Sequence, residues 1–198
     1  MSKPAGQTLS EAVRALLPAL IAVVLLPGCG GNKQANSDAT PVLSAPPNTA
    51  LPLPPANANA ELGWVLNDGS RARISNYQGK VLVLDFYATW CIPCRKSIPR
   101  LIVLQQKFET RGLEVVGLNV GGPDDRVKVG SFAKELGINY QLGFPDRALT
   151  DVLLSGDLSI PQTVIFGRDG RIVKRFIGYD QVIENEVEKV IVETVMKN

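Results

Sequence analysis

Two cysteines, Cys91 and Cys94, stand two residues apart in the sequence Trp-Cys-Ile-Pro-Cys at residues 90–94. An apolar run of buried-strand length, Val81 to Phe86, precedes them, and the pattern of Ile98 to Phe108 predicts an amphipathic helix after them. A helix N-terminus has unpaired N–H groups and a dipole that favour an anion, so a cysteine there has a lowered pKa. The second thiol is close enough in sequence to close a disulfide. The spacing therefore indicates a redox-active pair on a strand-to-helix turn.

Composition excludes several other kinds of site. The 198 residues carry 21 Lys and Arg against 19 Asp and Glu, a net charge of +2, and no basic stripe that would indicate a nucleic-acid partner. The sequence has no histidine, which removes Ser-His and Cys-His catalysis and imidazole metal sites. A zinc site built on the cysteine pair would lack its other ligands. We expect no cofactor and no metal.

The N-terminal residues have the pattern of an export signal. Lys3 and Arg14 supply positive charge before a twelve-residue apolar run, Ala15–Leu26, which is short for a transmembrane helix and suits a signal peptide. The run ends in Leu-Pro-Gly-Cys at residues 26–29, which resembles a bacterial lipobox apart from Pro27. That resemblance implies a signal peptide over residues 1–28 and a lipid on Cys29, which would hold the protein to a membrane. Secretion without a lipid and an uncleaved anchor stay open.

The next segment, residues 29–60, contains the cysteine predicted to carry the lipid and is otherwise rich in Pro, Ala, Asn and Ser. It has too little apolar surface to offset its ordering entropy, so we predict a disordered tether that its prolines keep extended. A spacer with no length requirement is the alternative. Residues 61–198 have the size and character of one domain.

Within that domain, strand and helix patterns alternate and then end in a hairpin and a closing helix, which indicates a three-layer α/β sandwich. An Asn-Asp-Gly turn at residues 67–69 also predicts an N-terminal hairpin. The predicted strands are Trp64–Leu66, Arg71–Ile74, Val81–Phe86, Leu113–Val120, Tyr140–Leu142, Thr163–Phe166 and Arg171–Ile177. The predicted helices are Ile98–Phe108, Pro123–Leu136, Ala148–Leu154 and one that Asp180 caps.

This order resembles the TlpA/ResA branch of the thioredoxin superfamily, which is membrane-tethered and has an N-terminal β-hairpin and a central strand-helix insert. The resemblance covers residues 61–198. It rests on the Cys-x-Pro-Cys motif after Trp90, on Pro99, on the strand Val115–Val120 and on Ile-Pro-Gln-Thr at residues 160–163. It implies a thioredoxin-like α/β/α sandwich and a thiol–disulfide oxidoreductase that acts on proteins.

The resemblance also implies roles for the cysteines and for Asp85. Cys91 would be the exposed nucleophile, and Cys94 the buried thiol that resolves the mixed disulfide. Asp85 would accept the proton of Cys94, because burial raises the pKa of a carboxyl group toward neutrality; a purely structural aspartate is the alternative. Relatives more often have Asn here and Glu where this chain has Ser97, and thioredoxin has Lys at the position of Gly117. We therefore expect Asp85 to act alone.

Five further residues would bind the client chain by the same resemblance. Pro161 corresponds to the family's cis-proline and would present the backbone of Ile160 to the client, unless it is an ordinary trans-proline. Trp90 would form an apolar contact surface beside the disulfide or belong to the core. Ile92 and Pro93 lie between the cysteines, where they would contact the client and help to set the redox potential.

The family implies partners and a location as well. We expect a reductant on the periplasmic side of a bacterial membrane, reduced in turn by a membrane electron donor of the DsbD type. Apocytochrome c, before haem attachment, would be one client among proteins with disulfides or thiols. Two alternatives use the same thiols: a copper-handling or redox-sensing binding protein, and a peroxiredoxin-like peroxidase. Copper proteins of the Sco type add a histidine and space their cysteines more widely, and the peroxidases have a different cysteine motif.

Overall fold

The computed structural model describes residues 58–197. In that range seven strands form one mixed sheet with the order β2-β1-β5-β4-β3-β6-β7. The strands are β1 Gly63–Leu66, β2 Arg71–Arg73, β3 Val81–Tyr87, β4 Leu113–Asn119, β5 Gln141–Pro145, β6 Gln162–Phe166 and β7 Ile172–Ile177. β3, β4 and β5 are parallel, and the remaining pairs are antiparallel.

The helices are α1 Ile92–Phe108, α2 Pro123–Arg126, α3 Val129–Leu136, α4 Arg147–Leu153 and α5 Gln181–Met196, with 3₁₀ turns at Ile74–Tyr77 and Glu109–Arg111. They cover both faces of the sheet. Val81 and Val83 of β3 pack with residues of α1 and α5, whereas Leu82 and Leu84 pack with residues of α4. A strand covered on both sides is apolar throughout, which explains the continuous apolar run before the cysteines. The predicted three-layer α/β sandwich is confirmed.

The N-terminal hairpin forms where the turn sequence predicts it. Asp68 Oδ1 accepts a hydrogen bond from the Ser70 amide over 2.8 Å, and Gly69 has the positive φ of 86° that favours glycine in such a turn. β1 then pairs with β5, so the hairpin extends the sheet beyond the parallel strands.

One predicted helix is divided. The segment predicted as a single helix over 123–136 contains α2 and α3, because the Lys128 amide bonds the Asp125 carbonyl over 2.9 Å and tightens the turn between them. The predicted C-terminal end of this segment and the predicted N-terminal end of the last helix are both confirmed. Gly137 closes α3 in a left-handed conformation, and Asp180 caps α5 by accepting from the Ile183 amide over 2.7 Å.

The predicted signal peptide, the lipidation at Cys29 and the tether up to residue 57 lie outside the described residues. Within 58–197 no helix is both long enough and apolar enough to cross a membrane.

Candidate active site

Cys91 and Cys94 form a disulfide at the start of α1, with an S–S distance of 2.01 Å. Cys91 is the residue that caps the helix, and its Sγ accepts a hydrogen bond from the Cys94 amide over 3.2 Å. The turn Ala88–Trp90 joins β3 to this helix, and the Cys91 amide bonds the Ala88 carbonyl over 3.1 Å. The sulfur of Cys91 therefore lies at the positive end of a seventeen-residue helix, where an anion is stabilised.

The exposure of the pair differs from the expectation. Cys91 is only 3% exposed and Cys94 is fully buried, so the prediction of an exposed Cys91 is wrong for this oxidised form. The reason is that its sulfur is bonded to a buried partner and turned toward a neighbouring loop. The adjacent residues are the accessible ones: Trp90 is 64% exposed and Ile92 68% exposed, and Pro93 is exposed too. The alternative that Trp90 belongs to the core is therefore wrong.

The neighbouring loop ends in a cis peptide bond between Ile160 and Pro161, so the alternative of a trans-proline is wrong. The Ile160 carbonyl oxygen lies 3.8 Å from Cys91 Sγ. Among residues 58–197 neither the amide nor the carbonyl of Ile160 has a backbone hydrogen-bond partner, which leaves both able to pair with another chain. Ile160 is half-buried and Pro161 is buried, so the backbone of Ile160 is the part that a client could reach.

Gln162 holds this loop in place, a role that the sequence analysis did not assign. Its side-chain amide donates to the carbonyls of Asp157 and Ser159 over 2.7 and 2.8 Å, and its Oε1 accepts from Arg175 Nε over 2.9 Å. Gln162 itself is fully buried. A polar side chain directly after a proline at a strand start was the available signal.

Asp85 lies inside β3 on the face that packs against α1, since Val83 and Tyr87 on either side of it contact residues of that helix. It is fully buried, and burial raises its pKa to about 7. A hydrogen bond from Thr163 Oγ1 to Asp85 Oδ1 over 3.2 Å acts in the opposite direction. Oδ2 is buried without a hydrogen-bond partner in the described part of the chain. The structure thus has a buried carboxyl group that titrates near neutral pH.

Gly117 lies opposite Asp85 in the β3–β4 register. A Cβ at this position would stand 2.6 Å from Leu142 Cδ2 and 3.2 Å from Tyr87 Cε1, so no side chain fits there without rearrangement. Tyr140 closes the same space, with a ring carbon 3.3 Å from that point. Burial, followed by the charge of Asp85, raises the pKa of both tyrosines. Aromatic rings therefore fill the space where thioredoxin has a lysine.

A second buried carboxylate fixes the turn before the disulfide. Asp125 Oδ2 accepts hydrogen bonds from the Thr89 amide and from Asn119 Nδ2, each over 2.8 Å, and Oδ1 accepts from the Thr89 hydroxyl. Burial acts to raise the pKa of Asp125, but the bonds from Asn119 and Thr89 outweigh it, so this pKa lies below its usual range. A side chain at Gly121 would collide with the Asp125 carboxylate. The sequence analysis did not find this network, because Asp125 lies near the start of the predicted helix Pro123–Leu136, where an acidic residue is common.

Residues 58–197 contain no group of three or more cysteine and carboxylate side chains arranged to hold a metal ion.

A mixed sheet between helices, with a Cys-x-x-Cys disulfide at a helix start and a cis-proline beside it, defines a thioredoxin-like redox protein. Solved structures support this fold. A putative thiol:disulfide interchange protein DsbE from Chlorobium tepidum superposes with a TM-score of 0.59 at 22% identity, over 71% of this chain and 99% of that one. A putative protein disulfide isomerase from Bacteroides thetaiotaomicron gives 0.58 at 27% identity, over 72% and 92%.

The chain belongs to the Redoxin family, whose model matches residues 47–191. It is 34% identical over 119 residues to the thiol-disulfide oxidoreductase ResA of Bacillus subtilis, covering 58% of this chain and 64% of the relative. The ResA of Geobacillus thermodenitrificans is 30% identical over 117 residues, covering 58% and 66%. The chain thus spans just under two thirds of the length of these relatives. The predicted membership of the TlpA/ResA-like group of the thioredoxin superfamily is confirmed.

Proposed function

We propose that the protein is a thiol–disulfide oxidoreductase that exchanges disulfides with client proteins outside the cytoplasm. The observation that carries the proposal is the Cys91–Cys94 disulfide at the N-terminus of α1, facing the free backbone of Ile160. The relatives named thiol-disulfide oxidoreductase ResA support the same activity.

The exchange takes two steps. The Cys91 thiolate attacks one sulfur of a client disulfide, which forms a mixed disulfide and releases the other client sulfur as a thiolate that takes up a proton. Cys94 then loses its proton and attacks Cys91 Sγ, which closes the protein disulfide and releases the second client sulfur. Two electrons pass from the protein dithiol to the client, and the client gains two protons. The reverse sequence oxidises a client dithiol.

The second step requires a base near Cys94, and Asp85 has the properties for it. Cys94 is fully buried, so a thiolate formed there without a proton acceptor would be costly. Because burial raises the pKa of Asp85 to about 7, its carboxylate is a stronger base than an exposed aspartate. Asp85 is the proton acceptor in this proposal, with no lysine assisting it.

The client binds across the disulfide. Its backbone pairs with the amide and carbonyl of Ile160, next to the cis peptide bond with Pro161, in a short strand-like contact. Trp90, Ile92 and Pro93 supply the exposed apolar surface on the other side of Cys91. Pro161 is buried and, through its cis peptide bond, fixes the loop that presents Ile160; it stays among the residues proposed to bind the client.

The direction of exchange and the location follow from the resemblance to the TlpA/ResA group. The protein acts as a reductant on the periplasmic side of the membrane, held by a lipid on Cys29, and a membrane donor of the DsbD type reduces Cys91 and Cys94 again. Apocytochrome c is the client class proposed, in cytochrome c maturation.

Three assays on the full chain separate this activity from its alternatives. With dithiothreitol as electron donor, the protein should accelerate insulin reduction, and Cys91→Ser should abolish the effect. Peroxide consumption at a comparable rate would favour a peroxidase, and stoichiometric copper binding to the reduced thiols would favour a copper-handling protein. No acceleration of insulin reduction by the wild-type chain would contradict the proposal.

A further inference from the structure

A cavity of about 530 Å³ opens at the ends of β4 and β5, between α2 and the loop that leads to the cis-proline. Its surface is largely apolar, and one cation, Arg126, stands among the lining residues. The apolar contributors are Val120, Pro123, Phe144, Pro145, Leu154 and Leu158. Leu158 is 77% exposed although it lines a cavity, which places apolar surface at the mouth.

Both walls of the cavity are tied to the disulfide. Leu158 lies two residues before Ile160, whose carbonyl is 3.8 Å from Cys91 Sγ. On the other wall, Asn119 lines the cavity and donates to Asp125, which in turn accepts from the Thr89 amide, two residues before Cys91. The cavity is therefore linked to the proposed client surface on two sides: by the loop from Leu158 to Ile160, and by the hydrogen bonds from Asn119 through Asp125 to Thr89.

The charge at the cavity is positive. The Arg126 guanidinium carbon lies 3.9 Å from the centre of the Phe144 ring, and the side chain is exposed. Within residues 58–197 Arg126 forms no salt bridge. The Asp125 carboxylate is occupied by Thr89 and Asn119, and Asp124 does not line the cavity. Arg126 is thus available to a carboxylate that arrives with a ligand.

We infer that this cavity binds the client polypeptide beside its reacting cysteine, taking one apolar side chain while Arg126 pairs with an acidic residue next to it. The inference rests on the proposed function and adds a sequence preference to it. An extended peptide paired with Ile160 would pass the mouth of the cavity, and an apolar side chain would exclude water from its lining. Clients with an acidic and apolar segment at the cysteine are therefore preferred over basic ones.

The test compares short peptides joined by a fluorescence-quenching disulfide, with Leu-Glu, Leu-Gln, Leu-Lys or Ser-Glu placed directly before or after the cysteine. The reduced full chain should react with the better Leu-Glu peptide roughly three- to fivefold faster than with its Leu-Lys counterpart. Arg126→Glu should reverse this order. Leu158→Ser, at an exposed position, should reduce the advantage of Leu-Glu over Ser-Glu.

Arg171→Glu is the matched control, because it makes the same charge reversal at a surface arginine that lies at the β6–β7 turn, at the opposite end of β6 from Pro161. It should keep the wild-type order. If the wild-type chain reduces all peptides at one rate, the cavity inference is overturned while the proposed function stands. If it reduces none of them, both fail. A preference that Arg126→Glu leaves intact also overturns the inference.

Discussion

Thr163 Oγ1 donates a hydrogen bond to Asp85 Oδ1 over 3.2 Å, and the two residues face each other in the β3–β6 register. This bond joins the proposed proton acceptor to the strand that follows the cis-proline. Thr163 also lines a small cavity of about 20 Å³ together with Ser97 and Pro161, which is room for one water molecule. Thr163 thus contacts both the buried carboxyl group of Asp85 and a cavity that can hold a water molecule.

Replacing Thr163 by valine should move the pH dependence of mixed-disulfide resolution to higher pH. The Thr163 hydrogen bond lowers the pKa of Asp85, so its loss lets burial raise that pKa further. A higher pH is then needed to form the Asp85 carboxylate. Stopped-flow measurement of the resolution rate between pH 5 and 9 would show the shift, and an unmoved profile would mean that Asp85 does not control this step.

Asp85→Asn should stabilise the oxidised protein relative to the wild type, and this gain should be larger at high pH than at low pH. An aspartate ionises near 3.8 in the unfolded chain and near 7 in the folded one, so the folded state holds the proton more strongly. The free energy of unfolding of the wild type therefore falls as pH rises from about 4 to about 7, by on the order of 4 kcal/mol, and this loss is absent in the variant.

Urea denaturation of both proteins at pH 4 and pH 8 measures the effect. Asp125→Asn is the control. The folded pKa of Asp125 lies below its usual value of 3.8, so its stabilising contribution is lost only as pH falls below that value, and the difference between Asp125→Asn and the wild type should stay nearly constant from pH 4 to pH 8. A stability difference between Asp85→Asn and the wild type that stays constant with pH would contradict the assigned titration.

The same Asp85→Asn substitution should slow mixed-disulfide resolution several-fold at neutral pH, because an amide cannot accept the Cys94 proton. Attack by Cys91 on the client should keep its rate, since that step does not involve Asp85. Single-turnover kinetics with a disulfide peptide separates the two steps. An unchanged resolution rate would leave Asp85 as a structural residue.

Gly117→Ala should destabilise the protein by about 1–3 kcal/mol, because the added methyl group meets Leu142 at 2.6 Å in a packed site. Gly130→Ala is the control. Gly130 lies inside α3 with no atom within 4 Å of an added Cβ, so alanine there should stabilise by roughly 0.5–1 kcal/mol. Thermal unfolding measures the stability of both variants. A Gly117→Ala variant as stable as the wild type would show that the side chains of Tyr87, Tyr140 and Leu142 can move aside.

Much of the fold could be predicted from local pattern. The strand before Cys91 is apolar throughout because it is covered on both faces, and the turn at residues 67–69 and the cap at Asp180 depend on neighbours a few residues away. Cys91 and Cys94 could be found for the same reason. Their disulfide spans three positions of sequence.

The missed features all depend on contacts between distant segments. Asp125 binds Thr89 thirty-six positions earlier, and no local signal separates this from an ordinary helix start. The low exposure of Cys91 depends on the approach of Ile160, sixty-nine positions away. The exclusion of a side chain at Gly117 depends on Tyr140 and Leu142, which only the β4–β5 pairing brings near.

The most direct test of the account is to trap the mixed disulfide. The full chain with Cys94→Ser, mixed at neutral pH with a disulfide-linked peptide, should form a stable adduct that mass spectrometry locates on Cys91. The matching Cys91→Ser chain should form none on Cys94, which is fully buried, whereas Cys91 lies between the exposed residues Trp90 and Ile92. Absence of the Cys91 adduct, or equal adducts on both variants, would contradict the claim that Cys91 at the start of α1 is the sulfur that exchanges with clients.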